Sequence, residues 1–196
     1  MTWRSLVSAP LLPTSDPRHD RTAVAILDAA AHVLSEQGKS TNMADVAAAA
    51  GVSRATLYRY YPHREALLDA LAAQALEDAG ARLADAGLER APVEEAIERI
   101  VRAILAVGDR YSVVVHEHVK LNQAEAERLL GAPMRAVFAR GIESGLFRQD
   151  IPADVLLELF GGALMAAVKL TQRRHIGLEE ASAATAAVFL DGARAR

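Results

Sequence analysis

At 196 residues with 52% apolar content, the chain has material for one large or two small domains around a buried core, which excludes disorder of the whole chain. It has no cysteine, so a disulfide framework, a thiolate metal site and a cysteine nucleophile are ruled out, in keeping with a reducing cytoplasm. The net charge of −3 argues against a nonspecific nucleic-acid coat, but it is unevenly spread, +2 over residues 1–64 and −5 over residues 65–196, a mildly basic head on an acidic body.

Residues 1–19 carry Pro10, Pro13 and Pro17 with little periodicity and predict a flexible arm. Its Arg4 and Arg18 admit two readings, a contact to DNA or a solvated tail. The first residues lack the charged segment and apolar run of a secretory signal, so a cytoplasmic protein is expected. From Arg21 to Gln37, apolar Val24, Leu27, Ala31 and Leu34 recur at helical spacing, with Asp20 as N-cap and Gly38 as terminator. Asn42 caps a short second helix over Met43 to Ala50, with Met43, Val46, Ala47 and Ala50 inward, and Gly51 stops it. Ser53 caps a third through Tyr60, which Pro62 closes while opening a fourth that runs to about Gly87 with Leu67, Leu68, Leu71 and Leu76.

Further helices are predicted over Val93 to Val107, Tyr111 to Lys120, Glu125 to Ser144, Ala153 to His175 and Leu178 to Gly192, separated at Pro92, Gly145 and Gly177. No strand pattern appears, so the fold class is all-α. The longest uncharged apolar stretch, Leu159 to Val168, is about half of the roughly 20 residues a bilayer requires and predicts a buried helix rather than a membrane span.

The chemistry concentrates between Asn42 and Glu65. Two short helices that cross steeply need a small residue at the crossing, Ala47, and a residue free to take positive φ in the turn, Gly51. Val52 and Leu57 point inward to set the angle. The third helix then presents Arg54, Ala55, Thr56, Tyr58, Arg59 and Tyr60 outward with no acid among them. Such a face suits a DNA groove: arginines donate bidentately to guanine, Ala55 and the Thr56 methyl meet a thymine methyl, and tyrosine hydroxyls reach phosphates. Arg64, opening the fourth helix, adds a phosphate contact. Three arginines and three tyrosines between Arg54 and Arg64 are more than a merely solvated corner calls for.

This segment resembles the DNA-binding domain of the TetR family of transcriptional regulators. The resemblance rests on Asp45-Val46-Ala47, Ala50-Gly51-Val52-Ser53, Thr56-Leu57-Tyr58, Tyr60-Tyr61-Pro62 and Glu65-Ala66-Leu67-Leu68 at the family's spacing, strong over about residues 21–70. Residues 141–152, from Gly141 to Pro152, are similar to a turn that the family places before its dimerising helices. Asn42, Ala44 and Lys39 depart from the usual threonine cap, phosphate-contacting basic residue and aromatic.

The resemblance implies an N-terminal three-helix helix-turn-helix DNA-binding domain and a C-terminal helical ligand-binding and dimerisation domain. The expected division is an arm over 1–19, a DNA-binding domain over 20–66 and an effector-binding and dimerisation domain over 67–196. It also implies that Arg54, Ala55, Thr56, Tyr58, Arg59, Tyr60 and Arg64 contact DNA, with Leu57 and Tyr61 in the core. Which of Arg54 and Arg59 reads a base stays open, because reach depends on docking angle.

In the body, the helix bearing Leu156, Leu157, Leu159, Phe160, Leu164, Met165 and Val168 is apolar around nearly its whole circumference. With the final helix it is expected to build a four-helix bundle across a twofold axis, through Leu157, Gly161, Leu164, Val168, Ala184 and Val188. Candidates for an effector pocket are Tyr111, His116, Met134, Phe138, Phe160 and Met165. His116-Glu117-His118 does not read as a metal site, since residues two apart on a helix point to opposite sides.

The partners expected are a double-stranded, near-palindromic operator, a second copy of the chain and a small-molecule effector that releases a repressor; no membrane, cofactor or metal is expected. The competing reading is a helical binding or adaptor protein that has lost DNA function. An enzyme is not expected, for want of a phosphate-cradling glycine loop, a nucleophile elbow or a metal-spaced cluster.

Overall fold

The computed structural model describes residues 17–37, 41–110, 122–173 and 175–195. They form helices α1 (Pro17–Gln37), α2 (Met43–Ala49), α3 (Arg54–Tyr60), α4 (Arg64–Asp85), α5 (Val93–Arg110), α6 (Gln123–Ala126), α7 (Ala132–Glu143), α8 (Ala153–Gln172) and α9 (Leu178–Ala193). Among the described residues there is no strand, only an isolated antiparallel bridge between Phe147 and Arg194. The fold is all-α, an N-terminal helix-turn-helix domain followed by a C-terminal helical domain. The predicted helix Tyr111 to Lys120 lies outside the described residues, as do Lys39 and most of the predicted arm.

α1 begins at Pro17, not Arg21, so Pro17, Arg18 and His19 belong to the helix rather than to the arm. Proline suits a first turn, where its missing N–H would have had no helical partner. The buried stripe of α1 is centred on Ile26, Leu27, Ala30 and Leu34, while Val24 stays 47% exposed. At 100° per residue Val24 falls on the edge of that stripe, which corrects its expected inward placement.

α4 spans 22 residues, about 33 Å at 1.5 Å per residue, and runs from the helix-turn-helix into the body with Leu67, Leu68, Leu71, Leu76 and Leu83 buried. The loop after it is fixed by arginines from two other helices. Arg99 on α5 donates to the Ala86 carbonyl at 2.5 Å, and Arg140 on α7 donates to the carbonyls of Leu88, Glu89 and Ala91 at 2.7, 2.8 and 3.2 Å.

The single helix predicted over Glu125 to Ser144 is instead α6 and α7 joined by a π-helical segment, Glu127–Gly131. Pro133, near the start of α7, cannot donate to the Leu129 carbonyl and crowds it, and the widened turn directly precedes it.

All four phenylalanines of the chain meet in the C-terminal core: Phe138 lies 5.4 Å from Phe147, 5.5 Å from Phe160 and 5.7 Å from Phe189, between ring centroids. They tie together α7, the turn after it, α8 and α9. That turn reverses at Gly145 (φ +71), where the Phe147 amide donates to the Gly141 carbonyl at 2.9 Å, and the chain then pairs with the end of α9 through Arg148 N–H to Ala193 C=O at 2.8 Å.

Candidate nucleic-acid interface

The helix-turn-helix is set by local hydrogen bonds. Asn42 and Asp45 form a reciprocal capping box on α2: the Asn42 side chain accepts from the Ala44 and Asp45 amides at 2.8 and 3.1 Å, and the Asp45 carboxylate accepts from the Asn42 amide at 3.0 Å. The departure from threonine at position 42 therefore keeps the cap. The turn passes through Gly51 at φ +66, a region that costs an L-residue sterically, and closes with Val52 N–H to Ala47 C=O at 3.0 Å. Ser53 then caps α3, its hydroxyl accepting from the Thr56 amide at 3.1 Å.

Ala47 is buried at the crossing of the two helices, and Leu57 is fully buried beneath α3. Tyr61 is buried as well, its hydroxyl 3.5 Å from the Ala23 carbonyl on α1. Burial, and secondarily the neighbouring Tyr60, push the Tyr61 hydroxyl above its ordinary pKa, because a phenolate there would be poorly solvated. With the inward side of α3 committed, Arg54, Ala55, Tyr58 and Arg59 are exposed, and Thr56, Tyr60 and Arg64 are half-buried. Arg59 lies over the Tyr60 ring, 5.4 Å from its centroid. From Val46 to Arg64 there is no acidic residue, and the Asp45 carboxylate accepts from the Asn42 amide.

In the body, the four described residues named for effector binding occupy different surroundings. Tyr111 and His116 lie outside the described residues. Phe138 and Phe160 sit in the packed aromatic cluster, Met134 packs half-buried against the core, and Met165 is 42% exposed on the outside of α8. A cavity of about 640 Å³ opens elsewhere, between α4 and the start of α6, lined by Asp69, Ala72, Ala73, Leu76 and Glu77 with Asn122 and Glu125. The sequence reading missed these residues, because their surface is assembled from segments some fifty positions apart.

The residues named for the dimer interface also divide. Leu164 and Val168 face into their own protomer, where the methyls of Val168 press on Gly108 of α5. Leu157 and Gly161 are half-buried, and Ala184 and Val188 are exposed. The outward apolar side of α8 is carried by Val155 and Leu159, which the interface set omitted along with Leu170, and beside them Val188 on α9 is 76% exposed. A groove of about 460 Å³ lined by Leu159, Ala163, Ala166, Ala184 and Val188 among others runs between the two helices.

Among the described residues no helix is long and apolar enough to cross a membrane, and no three His, Cys, Asp or Glu side chains are grouped to hold a metal ion.

Residues 26–71 match the family described as bacterial regulatory proteins, tetR family. The HTH-type transcriptional regulator NfxB of Pseudomonas aeruginosa is 30% identical over 182 residues, 87% of this chain and 89% of that protein. The HTH-type transcriptional repressor LfrR of Mycolicibacterium smegmatis is 41% identical over 98 residues, a match that spans 50% of this chain and about half, 51%, of LfrR. Among solved structures, the TetR-like regulator LfrR from Mycobacterium smegmatis in complex with proflavine superposes with a TM-score of 0.73 at 27% identity, covering 90% of this chain and 99% of that one. The TetR family regulator PfmR from Thermus thermophilus does so with a TM-score of 0.68 at 25% identity, covering 85% and 97%. Relatives that are transcriptional regulators do not favour an adaptor that has lost DNA function. With an acid-free arginine and tyrosine face on a capped α3, and these relatives along most of its length, the chain belongs to the TetR family of DNA-binding transcriptional regulators.

Proposed function

We propose that the protein is a homodimeric repressor that binds a near-palindromic operator and is released from it by a small organic effector. The observation that carries this reading is the outward face of α3, where Arg54, Ala55, Tyr58 and Arg59 stand exposed on a helix whose start and angle are fixed by Ser53, Gly51 and Ala47. Arg54 and Arg59 donate to base edges or phosphates, Thr56, Tyr58 and Tyr60 supply hydroxyls, and Arg64 grips the backbone. One seven-residue helix reads few base pairs, so two copies about 34 Å apart are needed for a specific site. The exposed apolar side of α8 and α9, with Leu159 and Val188, supports a twofold bundle as the means of holding them.

For the effector, the α4–α6 cavity is the better candidate, since a ligand there touches the helix that carries the DNA-binding corner. Its Asp69 and Glu77 carboxylates over an alanine and leucine floor suit a flat organic cation, in line with the proflavine bound by LfrR. Release then follows if the ligand binds the DNA-incompetent position of α4 more tightly than the competent one.

The test is a fluorescence-anisotropy titration of the purified protein against duplex DNA from upstream of its own reading frame, at several salt concentrations. A sequence-specific complex is expected that weakens with salt as phosphate contacts are lost. Arg54→Ala and Arg59→Ala should each cost about 1–3 kcal/mol if the residue reads a base, and lower the salt slope by about one if it holds a phosphate. Binding indistinguishable from that to scrambled DNA, with neither variant altering it, would count against the proposal.

A further inference from the structure

The corner between α3 and α4 carries a second polar device that the contacts above do not use. His63, in extended backbone (φ −152, ψ 167), is the N-cap of α4, and its imidazole Nδ1 accepts the hydrogen bond donated by the Ala66 amide at 3.1 Å. N-caps are ordinarily Ser, Thr, Asp or Asn, whose oxygens go on accepting throughout the neutral range. An imidazole nitrogen accepts only while it is bare, so the cap places the ring hydrogen on Nε2 and demands the neutral ring. His63 makes no other hydrogen bond or ion pair among the described residues that could hold it in place once this one is lost.

We propose that His63 is a positioning residue of the DNA interface and that its protonation loosens the first turn of α4, weakening operator binding in mild acid. This rests on the DNA-binding reading of the α3–α4 corner. A proton on Nδ1 sets donor against donor at Ala66 and brings a cation to the partly positive start of a long helix, and both effects oppose the cap. The first turn of α4 begins with Arg64, one residue beyond the cap. Free protein tolerates fraying there, whereas the complex needs Arg64 held in register with α3, so the cost falls on binding.

The charged and titratable groups on either side of this corner are Arg54, Tyr58, Arg59 and Tyr60 of α3, Tyr61 that follows it, Arg64, Glu65 and Asp69 in the first two turns of α4, and Arg21, Asp28 and His32 of α1, which packs against α4. Phosphates of bound DNA attract an imidazolium and act against the weakening, so free protein and complex are measured separately.

The experiment compares the full chain with His63→Asn, which accepts at every pH, and with His63→Ala, which cannot accept. In free protein the Ala66 amide resonance is followed from pH 8 to pH 5.5. In the complex, affinity for the upstream duplex is measured over the same range at constant salt. The Ala66 resonance should titrate in the wild type and stay flat in His63→Asn. Wild-type affinity should weaken about fivefold relative to His63→Asn as pH falls, the equivalent of the ~1 kcal/mol that an N-cap contributes. His63→Ala should bind about fivefold more weakly than wild type at pH 8 and gain no further deficit in acid. Parallel affinity profiles for wild type and His63→Asn, or wild-type affinity in His63→Ala at pH 8, would overturn the proposal. If none of the three proteins binds the duplex, the DNA reading fails for that site, and a flat wild-type Ala66 resonance separately sinks the cap.

Discussion

Gly80 on α4 and Leu129 in the π-helical segment are in a contact that no larger residue at position 80 can share: a methyl carbon there would stand 2.9 Å from Leu129 Cδ2 and 3.0 Å from its Cβ. Gly80→Ala gains about 1 kcal/mol of helix propensity but meets overpacking of about 1–3 kcal/mol. Because the Leu129 Cβ is tied to the backbone, rotation of that side chain cannot relieve the clash. A net loss of stability is expected, read as a lower urea midpoint. Adding Leu129→Ala should recover part of it; a Gly80→Ala protein as stable as wild type would refute the contact.

Arg140 fixes the loop after α4 from α7. Removing its guanidinium in Arg140→Ala leaves the carbonyls of Leu88, Glu89 and Ala91 without that donor and should cost about 1.5–3 kcal/mol. Arg140→Lys should restore little, since one ammonium cannot reproduce a planar fork spread over three carbonyls. Denaturant unfolding of both variants checks this.

Tyr61 sets an alkaline limit. Its hydroxyl is raised above the ordinary 10.0 by burial, so the folded state favours the neutral phenol more than the unfolded chain does. That contribution is fully present below the unfolded value and is lost as pH rises through the folded one, which places the loss above pH 10. Tyr61→Phe should flatten the alkaline decline and change stability little at neutral pH, because the bond to the Ala23 carbonyl is long at 3.5 Å. Urea midpoints from pH 8 to pH 11 are the measurement.

The two sides of α8 predict opposite phenotypes. Leu159, 58% exposed, replaced by Glu should leave the helical content intact, dissociate the proposed dimer in light scattering and weaken operator binding. Leu164, 2% exposed within the protomer, replaced by Glu should instead lose the fold, since it buries an unpaired charge. A monomeric wild type, or a Leu159→Glu dimer, would remove the α8–α9 bundle from the proposed function.

The DNA-binding corner was legible because its determinants are local. Asn42 with Asp45, Ser53 with Thr56 and Val52 with Ala47 all act across five residues or fewer, so spacing alone carries the geometry, and Leu57 and Tyr61 follow as the inward positions. The length of α1 and the π-helical segment were less legible, because their pattern of apolar residues looks the same whether or not a turn widens or a helix starts one turn earlier.

Sequence by itself determined an all-α chain with a capped, glycine-turned helix pair bearing arginines and tyrosines, since short-range hydrogen bonds and side-chain type suffice for that. Only the tertiary structure decided that Leu164 and Val168 face α5 while Leu159 and Val188 face outward, that four phenylalanines share one core, and that Asp69 and Glu77 border a cavity with Asn122. A helix apolar all round carries no internal signal of which side its neighbours will cover. That choice is made by residues distant in the chain, such as Gly108 opening space for Val168.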